Sequence, residues 1–116
     1  MNNVVKPLAI DYLGITEIIE SNSIVEDKFS RLTAVCDRIK TCTVKVAKVA
    51  SDSMQSKDSS YLVSINLCLS EGIELYTLRS PLPFEDSFSV AVADAFAKMY
   101  RRLIELQVEE KYSVFA

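Results

Sequence analysis

The chain has 116 residues, 49% of them hydrophobic and 25% charged, with only two glycines and three prolines. That length suits one domain around a single core, and that composition excludes long disordered tracts. Thirteen basic against 16 acidic residues leave a net charge of −3, so the chain lacks the global signature of a nucleic-acid binder and any anionic partner must be held by a local basic patch.

Pro7 opens an extended run, PLAIDYL, that places Leu8, Ile10 and Tyr12 on one side of a first strand. After Gly14 the segment ITEIIESNS is ambiguous. Ser23, with Glu26 three residues on, forms a capping-box pattern just ahead of a helical stripe of Val25, Phe29, Leu32 and Cys36. A first helix is therefore expected to be under way by Ile24. Arg31 and Arg38 project from its outer side and Lys28 from its flank, mixed with Asp27 and Asp37.

Residues 41–49, TCTVKVAKV, are rich in β-branched side chains, with Cys42, Val44 and Val46 facing one way and Thr41, Thr43 and Lys45 the other. Strict alternation puts Lys48 on the Val46 side, so the strand ends or bulges there, or Lys48 reaches solvent past the edge of the core. Residues 50–60 are dominated by Ser, Asp and Lys and read as a mobile hairpin loop. The clearest strand follows, alternating Tyr61, Val63, Ile65, Leu67 and Leu69 against Leu62, Ser64, Asn66 and Cys68. Glu71 and Gly72 then turn the chain into a fourth strand over about residues 73–79.

Pro81 and Pro83 favour extended geometry before the last element, and Asp86 or Ser87 can cap it. Glu85 and Asp86 suit the positive end of its dipole. From residue 84 to 106, Phe88, Val92, Ala95, Phe96, Met99, Leu103 and Leu106 recur at helical spacing, the mark of one face packed on a core. At about 100° per residue Arg101 points away from that stripe, Lys98 lies beside it and Arg102 on the flank. As an ordinary solvated face, this surface would pair Asp94 with Lys98 and Arg101 with Glu105 at i, i+4. Residues 107–116 carry no firm signal and read as a tail, leaving Glu109 and Glu110 in solvent.

The expected fold is α+β: a single domain over residues 1–116, core about 7–106, in the order β-α-β-β-β-α. Four strands form one sheet and two helices pack on one face.

The chemistry available is narrow. The chain has no histidine, which removes the commonest general base and metal ligand, and Gly14 and Gly72 are too isolated to cradle a phosphate. Cys36, Cys42 and Cys68 are odd in number and widely spaced, suggesting small buried thiols rather than a disulfide framework or a metal site. No enzymatic activity, cofactor, metal or small-molecule substrate is expected. No apolar run approaches the roughly 20 residues that span a bilayer, and the N-terminal MNNVVKPLAI lacks a secretory apolar region and cleavage site, so a cytoplasmic protein without membrane contact is expected. What remains is cationic: Lys28, Arg31, Arg38 and Lys40 around the first helix, Lys45 and Lys48 on the second strand, and Lys98, Arg101 and Arg102 on the last helix. If the helices lie side by side, their outward sides can merge into a surface that follows a phosphate backbone.

Two segments, KFSRLTAVCDRIKTCT and the stretch ending AKMYRRL, together resemble the ribosome hibernation promoting factors. The first, residues 28–43, is similar to that family's junction of first helix and strand, with basic residues at the spacing of Lys28 and Arg31 and an Asp-Arg-Ile sequence near the end. Residues 86–103, ending AKMYRRL, resemble its closing helix, and the element order agrees. The resemblance implies a non-enzymatic, stress-related factor that binds the small ribosomal subunit through ribosomal RNA and inhibits translation. Carried over by position, the RNA contacts are Lys28, Arg31, Lys98 and Arg101, with Arg38 and Arg102 next and Lys45 and Lys48 matching loosely. The net charge of −3 keeps open a second class, a protein-interaction module of the same fold without RNA affinity.

Overall fold

The computed structural model describes residues 7–50, 59–83 and 86–113. Its elements run in the order β1 (Leu8–Leu13), α1 (Ile18–Val35), β2 (Ile39–Val49), β3 (Ser60–Leu69), β4 (Glu74–Arg79) and α2 (Phe88–Ser113). The four strands form one sheet in the spatial order β1-β2-β3-β4. β1 pairs parallel to β2, and the other two pairings are antiparallel. A parallel pair cannot be joined by a hairpin, so α1 serves as the crossover between β1 and β2.

Alternation decides which strand residues are buried. In register, Cys42, Leu67 and Leu75 form one row across the sheet, Val44, Ile65 and Thr77 the next, and Val46, Val63 and Arg79 a third. All of these are buried on the face that receives the helices, against Val25, Phe29 and Leu32 of α1 and Val92, Phe96, Met99 and Leu103 of α2. Each fully buried Val, Leu, Ile or Met contributes about 1.5–3 kcal/mol of transfer free energy, which is why these stripes set the architecture. The opposite face, with Thr43, Lys45, Ser64, Asn66 and Tyr76, is left uncovered by the described residues.

α1 starts a turn and a half before the capping-box pattern. Its N-cap is Glu17, which makes no side-chain capping bond, and Ser21 is buried at the position one turn before Val25. A serine in the core stripe hides the apolar period there, and Ser23 therefore lies inside the helix rather than at its cap. α2 is capped by Ser87, whose hydroxyl accepts the Val90 N–H at 3.2 Å while its carbonyl accepts the Ala91 N–H at 3.0 Å. At its other end α2 continues through Ser113, so most of the expected tail is helix. Gln107 Nε2 donates to the Val35 carbonyl at 3.2 Å and satisfies an orphan acceptor at the end of α1.

β2 neither ends nor bulges at Lys48, which stands opposite Tyr61 in unbroken register and reaches solvent. Gly72 makes the β3–β4 turn at φ +83°, in the left-handed region open to glycine, with its N–H bonded to the Leu69 carbonyl at 3.0 Å. The hairpin loop expected over residues 50–60 falls mostly outside the described residues, as does Glu85. Cys36 and Cys42 are buried free thiols, as expected, but Cys68 is half-buried because alternation places it on the uncovered face. No helix among the described residues is long and apolar enough to cross a membrane.

Arg79 is the unforeseen member of the core. Only 4% exposed, it pairs with Asp86, itself 4% exposed, and with Asp94 at 3.2 Å. It also donates to the Tyr61 carbonyl at 3.1 Å. Burial pulls the guanidinium pKa down, yet the hydrogen bonds and charges of Asp86 and Asp94 outweigh it, so the net shift is upward and the group stays charged. This cluster fastens the start of α2 to the end of β4. Thr77 Oγ1, one row away, is buried with no hydrogen-bond partner among the described residues, and nothing in the structure accounts for it.

Candidate nucleic-acid interface

α1 and α2 pack against each other on the sheet, and the period of each helix turns its cations outward. Lys28 and Arg31 of α1 face Arg101 of α2 across a groove of about 450 Å³, floored by Leu32 and Phe96. On the far side of α2, Lys98, Arg101 and Arg102 line a hollow of about 300 Å³ against Leu78 of β4. Arg101 belongs to both. Five of the eight expected RNA-binding residues are therefore brought into one band from α1 across α2 to the sheet edge.

Their pairing differs from that of a solvated mixed-charge face. The Asp94–Lys98 pair does not form, because Asp94 is turned to Arg79, and Glu105 pairs with Arg102 at 3.3 Å rather than with Arg101. Lys28, Lys98 and Arg101 have no acidic partner among the described residues. Lys98 donates to the Leu78 carbonyl at 3.2 Å. Arg31 meets Asp27 at 3.3 Å with both side chains more than half exposed. Exposed pairs of this kind contribute only about 0–1 kcal/mol, so Arg31 and Arg102 can exchange a carboxylate for a phosphate at little cost.

The other three expected residues lie elsewhere. Arg38 is not on the outer side of α1; the helix has ended at Val35, and Arg38 is held by Glu110 through bonds of 2.8 and 3.1 Å and by Glu71 at 3.0 Å. Its hydrogen bond to Glu110 is the main cause of an upward shift in its pKa, and the same bond holds the Glu110 carboxyl below the ordinary glutamate range. Lys45 sits in the row of Asp11 and Ser64 on the uncovered face of the sheet, behind the helices. Lys48 is on the helix side but at the end of β2, beside Gly14.

Two solved structures share this arrangement. A ribosomal subunit interface protein from Coxiella burnetii superposes with a TM-score of 0.62 at 13% identity, covering 87% of this chain and 97% of its own. The N-terminal domain of Thermus thermophilus Protein Y gives 0.50 at 17% identity, covering 85% and 94%. This chain has the fold of a ribosomal subunit interface protein. No protein-family model and no curated protein sequence matches it.

On that fold, one residue of the groove between α1 and α2 escaped sequence reasoning. Tyr100, 44% exposed, lines the groove beside Ala93 and Ala97. The signal was present as small residues at i, i+4 followed by an aromatic, but that face carries no apolar stripe long enough to stand out from the main one. Among the described residues no cluster of three or more His, Cys, Asp or Glu side chains could hold a metal ion.

Proposed function

We propose that this chain is a non-enzymatic, cytoplasmic member of the ribosome hibernation promoting family that binds the small ribosomal subunit through phosphates of its RNA and inhibits translation under stress. The observation that carries the reading is Arg101, which joins two cation-lined hollows into one band and has no acidic partner among the described residues. The shared fold with a ribosomal subunit interface protein supports the same partner. Lys28, Arg31, Lys98, Arg101 and Arg102 are the contact residues, while Arg38 is spent on Glu110 and Lys45 faces away.

The test is co-sedimentation with purified small subunits over a salt series. Attachment through phosphates releases condensed counterions, so binding should weaken steadily as salt rises. Attachment that ignores salt argues for the second class, a protein-interaction module. The uncovered sheet face, with Leu13 70% and Tyr76 60% exposed, is the feature that favours that alternative.

A further inference from the structure

The groove between α1 and α2 is a poor seat for a phosphate alone. Its floor is the buried Leu32 and Phe96, Ala97 and Tyr100 line it from α2, and its cations Lys28, Arg31 and Arg101 are the more exposed residues around it. A phosphate pushed onto that floor would lose water without gaining donors, whereas one held by the cations keeps both. The floor and the Tyr100 ring then stay wet unless something flat and weakly polar covers them.

Resting on the RNA reading above, we propose that this groove takes one unpaired nucleobase, stacked on Tyr100, with the flanking phosphates on Lys28 and Arg101. The chemistry matches on three counts. The cations complement the backbone on either side of a splayed nucleotide. Sequence positions in RNA are read chiefly where bases are unstacked and can lie on aromatic or guanidinium planes, and a paired A-form helix offers no base to this depth. The alanine at position 97 is exposed and small, leaving the hollow open between two helices that otherwise pack closely.

The band of five cations alone would accept duplex and bulged RNA equally; the nucleobase seat makes them different. The experiment compares a fluorescein-labelled RNA hairpin carrying one bulged adenine with the same hairpin fully paired, and repeats the bulged probe with 2-aminopurine in place of that adenine. The parent protein should prefer the bulged hairpin and quench the 2-aminopurine. Tyr100→Ala should weaken bulged binding about 5- to 150-fold, the equivalent of the ~1–3 kcal/mol of one stacked base, and Tyr100→Phe should restore it. Ala97→Leu fills the groove from an exposed position and should remove the preference while leaving the salt dependence unchanged, since no cation is lost. Equal binding of both hairpins, or a preference that survives both Tyr100→Ala and Ala97→Leu, overturns the nucleobase seat and leaves the phosphate reading standing. If neither hairpin binds at any salt concentration, the RNA reading falls and the inference with it.

Discussion

Arg38 grips Glu110 with both guanidinium nitrogens, at 2.8 and 3.1 Å, across 72 residues of chain. A bidentate contact between guanidinium and carboxylate fixes direction as well as distance, so it ties the last turns of α2 to the turn between α1 and β2. Glu71 at 3.0 Å shares the same guanidinium, and Gln107 caps α1 a turn earlier. These contacts explain why α2 continues where local sequence offers no stripe.

The first expected outcome concerns that carboxyl. Because the hydrogen bond from Arg38 holds the Glu110 pKa down, its contribution to stability is present at pH values above the ordinary glutamate pKa and is lost as pH falls through the lowered one. A carbon-detected NMR titration should show Glu110 titrating below the ordinary glutamate range. In Arg38→Met it should return to the ordinary range, and amide protection over residues 107–113 should fall. A Glu110 midpoint unchanged by that substitution would show that the clamp does not persist in solution.

What the sequence made legible follows from periodicity. The alternation of Val63, Ile65, Leu67 and Leu69, and the stripe from Val92 to Leu103, are local patterns that burial enforces, and they locate the sheet and the last helix. The start of α1 was hidden because Ser21 occupies a core position, and the end of α2 because its partner Arg38 is distant in sequence. The same limit divided the candidate site. Lys28, Arg31, Lys98, Arg101 and Arg102 were placed by helix phase alone, whereas Arg38 and Lys45 needed the tertiary structure: one to reveal its acidic partners, the other to reveal which side of the sheet the helices cover.

A second outcome tests the buried ion cluster. Asp86→Asn leaves the Arg79 charge buried with Asp94, 54% exposed, as its remaining carboxylate. Breaking a buried pair from one side typically costs about 3–5 kcal/mol, and the surviving bonds to Asp94 and Tyr61 place this case near about 3 kcal/mol. Arg79→Met with Asp86→Leu removes both charges and should recover most of that loss. Urea unfolding midpoints of the parent, the single and the double variant decide it; a single variant as stable as the parent would mean the cluster is open to water.

Thiol reactivity gives a third. Burial pushes the Cys42 thiol up to about 12, so in the folded protein it stays protonated and protected, while Cys68 is partly accessible. Alkylation at pH 8 should label Cys68 first and Cys42 only after unfolding. Because the unfolded thiol ionises near about 8.5, this group makes stability fall as pH rises from about 9 toward 12, since the unfolded chain releases the proton first. Early modification of Cys42 in native protein, read by peptide mass mapping, would contradict its placement in the core.

The decisive surface variant is Lys98→Glu with Arg101→Glu. Both side chains are exposed and lie off the stripe of Phe96, Met99 and Leu103, and neither has an acidic partner among the described residues. Reversal therefore breaks no ion pair. It removes one hydrogen bond, from Lys98 to the Leu78 carbonyl, which is exposed and can be replaced by water. The added repulsion toward Asp94 and Glu105 on the same helix costs about 0.2–0.5 kcal/mol per pair, and surface changes usually move stability by about 0.5 kcal/mol, too little to unfold an ordinary domain. At the interface the balance is different, because the residue common to both hollows then presents a carboxylate to phosphates. The double variant should keep the circular dichroism and thermal transition of the parent and lose co-sedimentation with small subunits at low salt. A folded double variant that still sediments like the parent would move the interface away from α2, and the uncovered sheet face with Leu13 and Tyr76 would become the surface to test.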